Sequence, residues 1–289
     1  MHAAEINQNT AASLLNSIAI PPCPNFVLNL LEESRKPDVN FRKVIALISG
    51  DVCLAAAMMK SANSPYFGLR TRASSVQQAV SILGLKNILQ IVTELSLRQS
   101  FGDDVSMLRF WDRSNYVALV SSRIARRISR QHQLSQEEAY TYGLFHDCGI
   151  PILMRHFPDY KERLEAANNS ADLVIHIEDR HYNTNHAVVG RMLAHGWFLP
   201  DAIVTAIGVH HDFGIFEEPE EFDPKVFAHV AINLIAEHIV ASFLGVPDDA
   251  EWASGGKIAL GYLDIDHDEL EDMVEDALLD LEESSAYRS

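Results

Sequence analysis

The chain has 289 residues, 47% hydrophobic and 22% charged, which is ordinary for a globular protein and enough to bury a substantial core. Its formal net charge of −17 argues against a sequence-independent nucleic-acid binder, which needs a clustered basic surface. Eleven of the acids fall within residues 264–283, where there is no Lys or Arg, so much of that charge is local.

Cys23, Cys53 and Cys148 are odd in number, widely separated and without CxxC spacing. That pattern does not predict a disulfide framework and points to a reducing, cytoplasmic setting. The first twenty residues lack the basic flank and apolar core of a signal peptide, and no segment approaches eighteen uninterrupted apolar residues, so no membrane span is expected.

Taken in chain order, the periodicity is helical nearly throughout. Apolar residues spaced for one buried helix face recur in Phe26–Leu31, Phe41–Ile48, Val52–Lys60 and Val76–Leu83. The stretch Trp111–Ile128 follows the same rule through Trp111, Val117, Val120, Ile124 and Ile128. Ala187–Leu193, Ala202–Val209, Phe227–Leu244 and Leu270–Leu281 complete the set. Start signals support these helices: Asp38–Val39–Asn40, Ser74–Ser75, a near capping box at Ser135–Glu138, and Pro200–Asp201. Alternating β patterns of useful length are absent, so the fold class is all-α.

Punctuation divides the chain. Residues 1–19 form an N-terminal segment. Residues 20–102 carry short helices broken at Pro37, Gly50, Pro65, Gly68 and Gly84, and residues 103–245 carry longer ones. The polar stretch Gly102–Asp103–Asp104 separates the two, VPDDAEWASGG (246–256) reads as a linker, and a last acidic helix follows within 246–289. That helix keeps Leu270, Met273, Val274, Ala277, Leu278 and Leu281 on one stripe, as a docked helix with a solvated acidic face would. A partner-binding helix is the sharper alternative. Met58, Met59 and Met192 read as core filler, and SANSPYFG (61–68) as an interhelical turn.

The chemistry concentrates in GLFHDCGI (143–150), where His146 and Asp147 interrupt an apolar run. A buried carboxylate without a partner costs several kcal/mol, so Asp147 needs a cation, a metal or several donors nearby. NTNHAVVG (183–190) and GVHHDF (208–213) could bring His186, His210 and His211. Imidazoles plus a carboxylate are the donor types for a borderline or hard divalent metal. Any one of these histidines alone could equally be satisfying a local hydrogen bond. Cys148 reads as a small core residue rather than a nucleophile.

IPPCPNFVLNLLEES (20–34), ISGDVCLAAAMMKSANSPYFG (48–68) and SSVQQAVSILGLKNILQIV (74–92) resemble the signature segments of HDOD domains, the HD-related output domains of bacterial signalling. The second half is similar to the HD-type part of that family, and more distantly to HD-GYP and other HD phosphohydrolases. The resemblance implies an N-terminal helical layer packed on an HD-like bundle, with His146, Asp147, His186, His210 and His211 as the metal-binding set. Departures matter. Where active HD enzymes place a first histidine, this chain has Arg113. Where they place a last aspartate, it has Asn233, Ala236 or Glu237. Their lysine after HD-x-G is replaced by Ile150–Pro151, and the Gly-Tyr-Pro segment is absent.

The resemblance therefore implies one of two metal positions intact, room for one divalent ion (Fe, Mn, Zn or Mg), and Arg113 paired with Asp147 in place of the other ion. The expected function is a signalling module with a degenerate HD site, acting on a signalling protein or a small nucleotide ligand without direct nucleic-acid binding. A metal-dependent phosphohydrolase of nucleotides or cyclic dinucleotides is the rival. A pocket that binds such a nucleotide without cleaving it is a third reading.

Overall fold

The structure, a computed structural model, describes residues 17–21, 23–64, 73–101, 105–132, 134–167, 172–246 and 250–286. Among these residues the regular structure is helical, as the periodicity requires. The chain forms two compact units: Cys23–Asp103, and Asp104–Arg288 together with Met1–Pro22. The described residues before Cys23 go with the second unit: Ile18 is buried, and Trp197 Nε1 donates to the Pro21 carbonyl at 2.9 Å. Pro65, Gly68, the end of SANSPYFG and Gly102–Asp104 lie outside the described residues.

The first unit contains α1 (Asn25–Ser34), α2 (Phe41–Ser49), α3 (Val52–Ala62) and α4 (Val76–Phe101). Asn40 and Asp51 cap α2 and α3 by accepting from the backbone N–H of Lys43 and Leu54. Gly84 breaks α4 at φ 71° and ψ 163°, a conformation only glycine reaches without strain. Val27, Leu30, Val44, Ile48, Leu54, Met58, Val80, Leu83 and Ile88 are buried. Asn63 of the SANSPYFG stretch bonds both the N–H (2.6 Å) and the C=O (3.1 Å) of Ala73, so its amide pins the residue that precedes the entry to α4. Glu33, 1% exposed, accepts from the Asn40 N–H (3.0 Å) and from Lys36 (2.8 Å), and pairs with Lys43 (3.2 Å).

The second unit begins with α5 (Val105–His132), α6 (Gln136–Phe145), α7 (Gly149–His156) and α8 (Tyr160–Ala167). It continues with α9 (Val174–Tyr182), α10 (His186–Gly196), α11 (Asp201–Val209) and a 3-10 turn at Phe213–Glu217. It closes with α12 (Pro224–Leu244), α13 (Ala250–Leu263) and α14 (His267–Ala286). The Ser135–Glu138 capping box forms in full. Among the described residues, two helices, Val76–Phe101 and Pro224–Leu244, are long and apolar enough by length and composition to cross a bilayer. The absence of an uninterrupted apolar run hid that property. The apolar window of Pro224–Leu244 is 72% buried inside the protein, so its hydrophobicity makes the core.

The expected linker over 246–256 needs correction. From Ala250 onward it is the start of α13, packed on α12. Pro247, Asp248 and Asp249 lie outside the described residues, and Gly255–Gly256 read as loop formers. Their small size has another use: a Cβ on Gly255 would sit 2.6 Å from the Phe213 ring, and one on Gly256 2.8 Å from the Trp252 ring. The acidic helix docks as its stripe predicted, with Leu270, Met273, Ala277 and Leu281 buried beside Ile124, Ile128 and Ile239.

The contacts to Lys36, Asn40 and Lys43 overcome desolvation and hold the Glu33 carboxyl at about 2, below its ordinary 4.5. A depressed carboxyl stabilises the fold above about 4.5 and loses that contribution as pH falls through about 2. Glu33→Gln should therefore denature at lower urea than the wild type at pH 7, with the gap closing toward pH 2. A pH-independent gap would show that the ion pairs are not its cause.

Candidate metal centre

His146 and Asp147 sit in the tight turn between α6 and α7 rather than inside a helix. Two glycines set that turn in place. A Cβ on Gly143 would lie 2.9 Å from Ala118 Cα of α5, and one on Gly149 would lie 2.0 Å from the His186 carbonyl oxygen and 2.8 Å from the Gly190 nitrogen. The turn is thus pressed directly on the backbone of α10. Cys148 is buried against the same helix, its Sγ 3.6 Å from the Gly190 carbonyl. His186 opens α10 behind the Asn185 cap, His210 and His211 close α11, and Glu237 projects from α12.

These elements converge on Asp147. Its Oδ1 lies 3.3 Å from His186 Nε2 and 3.6 Å from His210 Nε2, and its Oδ2 lies 3.2 Å from His146 Nε2. His146 Nε2 is also 3.3 Å from Glu237. Asp147, His186, His210 and His211 each bring a donor atom within 4.8 Å of all the others, and so do His146, Asp147 and Glu237. Asp147 is common to both sets.

The second nitrogen of three of the four imidazoles is hydrogen-bonded from behind. His146 Nδ1 bonds the Gly143 carbonyl and His210 Nδ1 the Ile207 carbonyl, each at 2.8 Å. His186 Nδ1 bonds Glu178 at 2.7 Å, and His211 Nδ1 lies 2.5 Å from Glu251. Glu178 is fixed in turn by the Tyr160 hydroxyl. Such anchoring sets the tautomer and points each Nε2 at the centre, as metal-binding histidines require. With both Nδ1 atoms turned to carboxylates, the Nε2 atoms of His186 and His211 stand 2.7 Å apart. Two lone pairs that close need a shared proton or a cation. The buried Nε2 atoms of His146 and His210, by contrast, complete no hydrogen bond among the described residues. Donor types, aim and unsatisfied nitrogens all fit a divalent ion.

Electrostatics divide the histidines. Burial would raise the Asp147 carboxyl, but His146, His186 and His210 hold it well below the usual range. Burial works against charge on His146, yet Asp147 and Glu237 lift its pKa to about 10. His186 is likewise carried well above its ordinary value, against its burial, by Glu178 and Asp147. Burial lowers His210 and drives His211 well below 6.5.

All five histidine and aspartate candidates therefore meet. Two expectations change. Arg113 does not pair with Asp147: its guanidinium, 42% exposed, reaches Glu237 at 3.4 Å. Of Asn233, Ala236 and Glu237, it is Glu237 that enters the cluster, with Asn233 Nδ2 donating to it at 3.2 Å. The last carboxylate position is accordingly filled, by a side chain one methylene longer than aspartate. Sequence reading missed Glu178 and Glu251, which have no fixed spacing to the histidines they hold.

A family model for the HDOD domain matches residues 20–213. The chain belongs to the HDOD family. Among curated proteins, this HDOD chain is 28% identical over 234 residues to an uncharacterized protein of Treponema pallidum (strain Nichols), covering 78% of this chain and 44% of that one. The chain thus spans less than half the length of that relative. Among solved structures it resembles a Marinobacter aquaeolei VT8 protein named "Putative signal transduction protein" (TM-score 0.73, 19% identity, 96% of this chain, 64% of that chain). It also resembles a Shewanella amazonensis SB2B protein named "Putative phosphohydrolase" (0.66, 21%, 96% and 94%). An HDOD domain protein of unknown function from Geobacter sulfurreducens follows (0.60, 21%, 89% and 98%). At these identities the likeness establishes the fold.

Two outcomes test the geometry. Gly149→Ala should destabilise the protein by about 3 kcal/mol or more, because the new methyl meets backbone rather than a side chain that can move; thermal denaturation reads this, and a neutral result would contradict the close approach. Because Glu178 and Asp147 shift His186 toward its protonated form, an ion and a proton compete for its Nε2. Ion affinity should then rise with pH, by up to roughly tenfold per unit, with release of about one proton per ion in calorimetric titrations across pH 6–8.

Proposed function

We propose that this HDOD protein is a regulatory module, not an efficient hydrolase, whose HD cluster takes one divalent ion at Asp147, His186, His210 and His211. Its output passes through protein contacts or a bound small nucleotide in a cytoplasmic signalling system. The observation that carries this reading is the division around Asp147. One carboxylate oxygen faces the Nε2 atoms of His186 and His210, while the other faces His146, whose neighbour Glu237 already carries the Arg113 guanidinium. Protonated His146 and the Arg113 guanidinium stand at Asp147 and Glu237, where a second ion would otherwise balance the carboxylates.

Three imidazoles and one carboxylate suit Zn²⁺, Fe²⁺ or Mn²⁺ better than Mg²⁺, which prefers oxygen donors. When bound, such an ion supplies Lewis acidity at one position. Hydrolysis by two ions clamping the attacking and leaving oxygens asks for a second ion about 3.5–4 Å away, and Arg113 opposes it. The protein's own residues hold and orient: Glu178, the Gly143 carbonyl and the Ile207 carbonyl fix His186, His146 and His210, and Asp147 ties them together.

The placement of Glu237 favours a second reading, a two-metal phosphohydrolase, since it completes a three-donor set with His146 and Asp147. Elemental analysis separates the two. The proposal expects one ion per chain, none in Asp147→Ala, and no turnover of nucleotides or cyclic dinucleotides with Mn²⁺ or Fe²⁺. Arg113→His should raise the count toward two. Two ions in the wild type with turnover abolished by Asp147→Ala would establish the hydrolase instead.

A further inference from the structure

We propose that the helix pair α13–α14 reads occupancy of the metal centre, with Glu251 as the positioning residue that couples them. This rests on the metal-binding reading above. The helix pair lies beyond the stretch 20–213 that matches the HDOD family model.

The first turns of α13 touch the chain on both donor sets. Glu251, its side chain 13% exposed, places a carboxylate oxygen 2.5 Å from Nδ1 of His211, an ion-pair approach that is not aligned as a hydrogen bond. The neighbouring Trp252 ring lies flat on His238 (centroids 3.8 Å apart, planes 6° apart), the residue after Glu237. The Phe213 ring, two residues beyond His211, packs on Gly255 so closely that no Cβ would fit. Behind this contact, Ala259, Leu263, Ile265, Leu270, Met273, Ala277 and Leu281 join the core of α5 and α12, and Arg127 pairs with Glu269 at 3.2 Å. Movement at Glu251 is therefore transmitted to the whole pair.

An ion held by His211 Nε2 would fix the ring with its Nδ1 beside the Glu251 carboxylate. The docked helix pair would then feel the ion through that close contact. By linkage the effect runs both ways: docking favours the ion as much as the ion favours docking. Glu178 does the same for His186 from inside the family-matched stretch, but it belongs to α9, away from the pair.

Hydrogen exchange on the full chain, with and without saturating Mn²⁺, tests this alongside calorimetric titration of Mn²⁺. In the wild type, Mn²⁺ should slow exchange across residues 250–286. Glu251→Gln should bind Mn²⁺ about 10–100-fold more weakly and, once saturated, show no Mn²⁺-dependent slowing there. Glu178→Gln should lose affinity by a similar factor yet keep the slowing at saturation, which a general loosening of the fold would not do. Mn²⁺ binding to the wild type with exchange in 250–286 unchanged overturns the coupling, as does equal slowing in Glu251→Gln. No Mn²⁺ binding to the wild type overturns the metal reading, and the coupling with it.

Discussion

Asp147 is the constraint on which the second unit turns. A carboxylate with 18% of its side chain exposed, in an otherwise apolar run, is tolerable only if its charge is answered. The fold answers it by bringing the ends of two helices and a turn-borne histidine to its two oxygens. Each imidazole is then held by its other nitrogen, so the centre is an arrangement of lone pairs already pointed inward, at little reorganisation cost when a cation arrives.

The shape of that centre follows from glycines and caps more than from the ligands. Gly143 lets α5 approach on one side of the His146–Asp147 turn, and Gly149 lets α10 approach on the other. Asn185 starts α10 so that His186 sits at its first residue, beside Glu178. The polar ladder Asn233–Glu237 on α12 closes the remaining side, and Arg113 from α5 covers it. What separates a one-ion site from a two-ion site here is charge. The His146–Asp147–Glu237 set has the donors of a metal position, and the Arg113 guanidinium lies 3.4 Å from its Glu237.

Much of this was legible in the sequence because helical periodicity and local capping are short-range properties. The Ser135 capping box, the stripe of Leu270, Met273, Ala277 and Leu281, and the convergence of His146, Asp147, His186, His210 and His211 all appeared as read. What failed to show were relations that depend on helix register across the bundle. Three residues of α12 competed for one place, and only packing selects Glu237. The pairing of Arg113 with Glu237 rather than Asp147 is a matter of a few ångströms between α5 and α12. Gly255 and Gly256 looked like a linker because glycine's small size serves turns and tight helix packing alike.

The central claim is that Asp147 organises one ion, with the neighbouring place filled by the protein's own cations. Anomalous diffraction from crystals grown with Mn²⁺ or Zn²⁺ tests it most directly. The account predicts a single peak enclosed by Asp147, His186, His210 and His211, with the Arg113 guanidinium still on Glu237. A second peak bound by His146 and Glu237, or no peak at all, would contradict it.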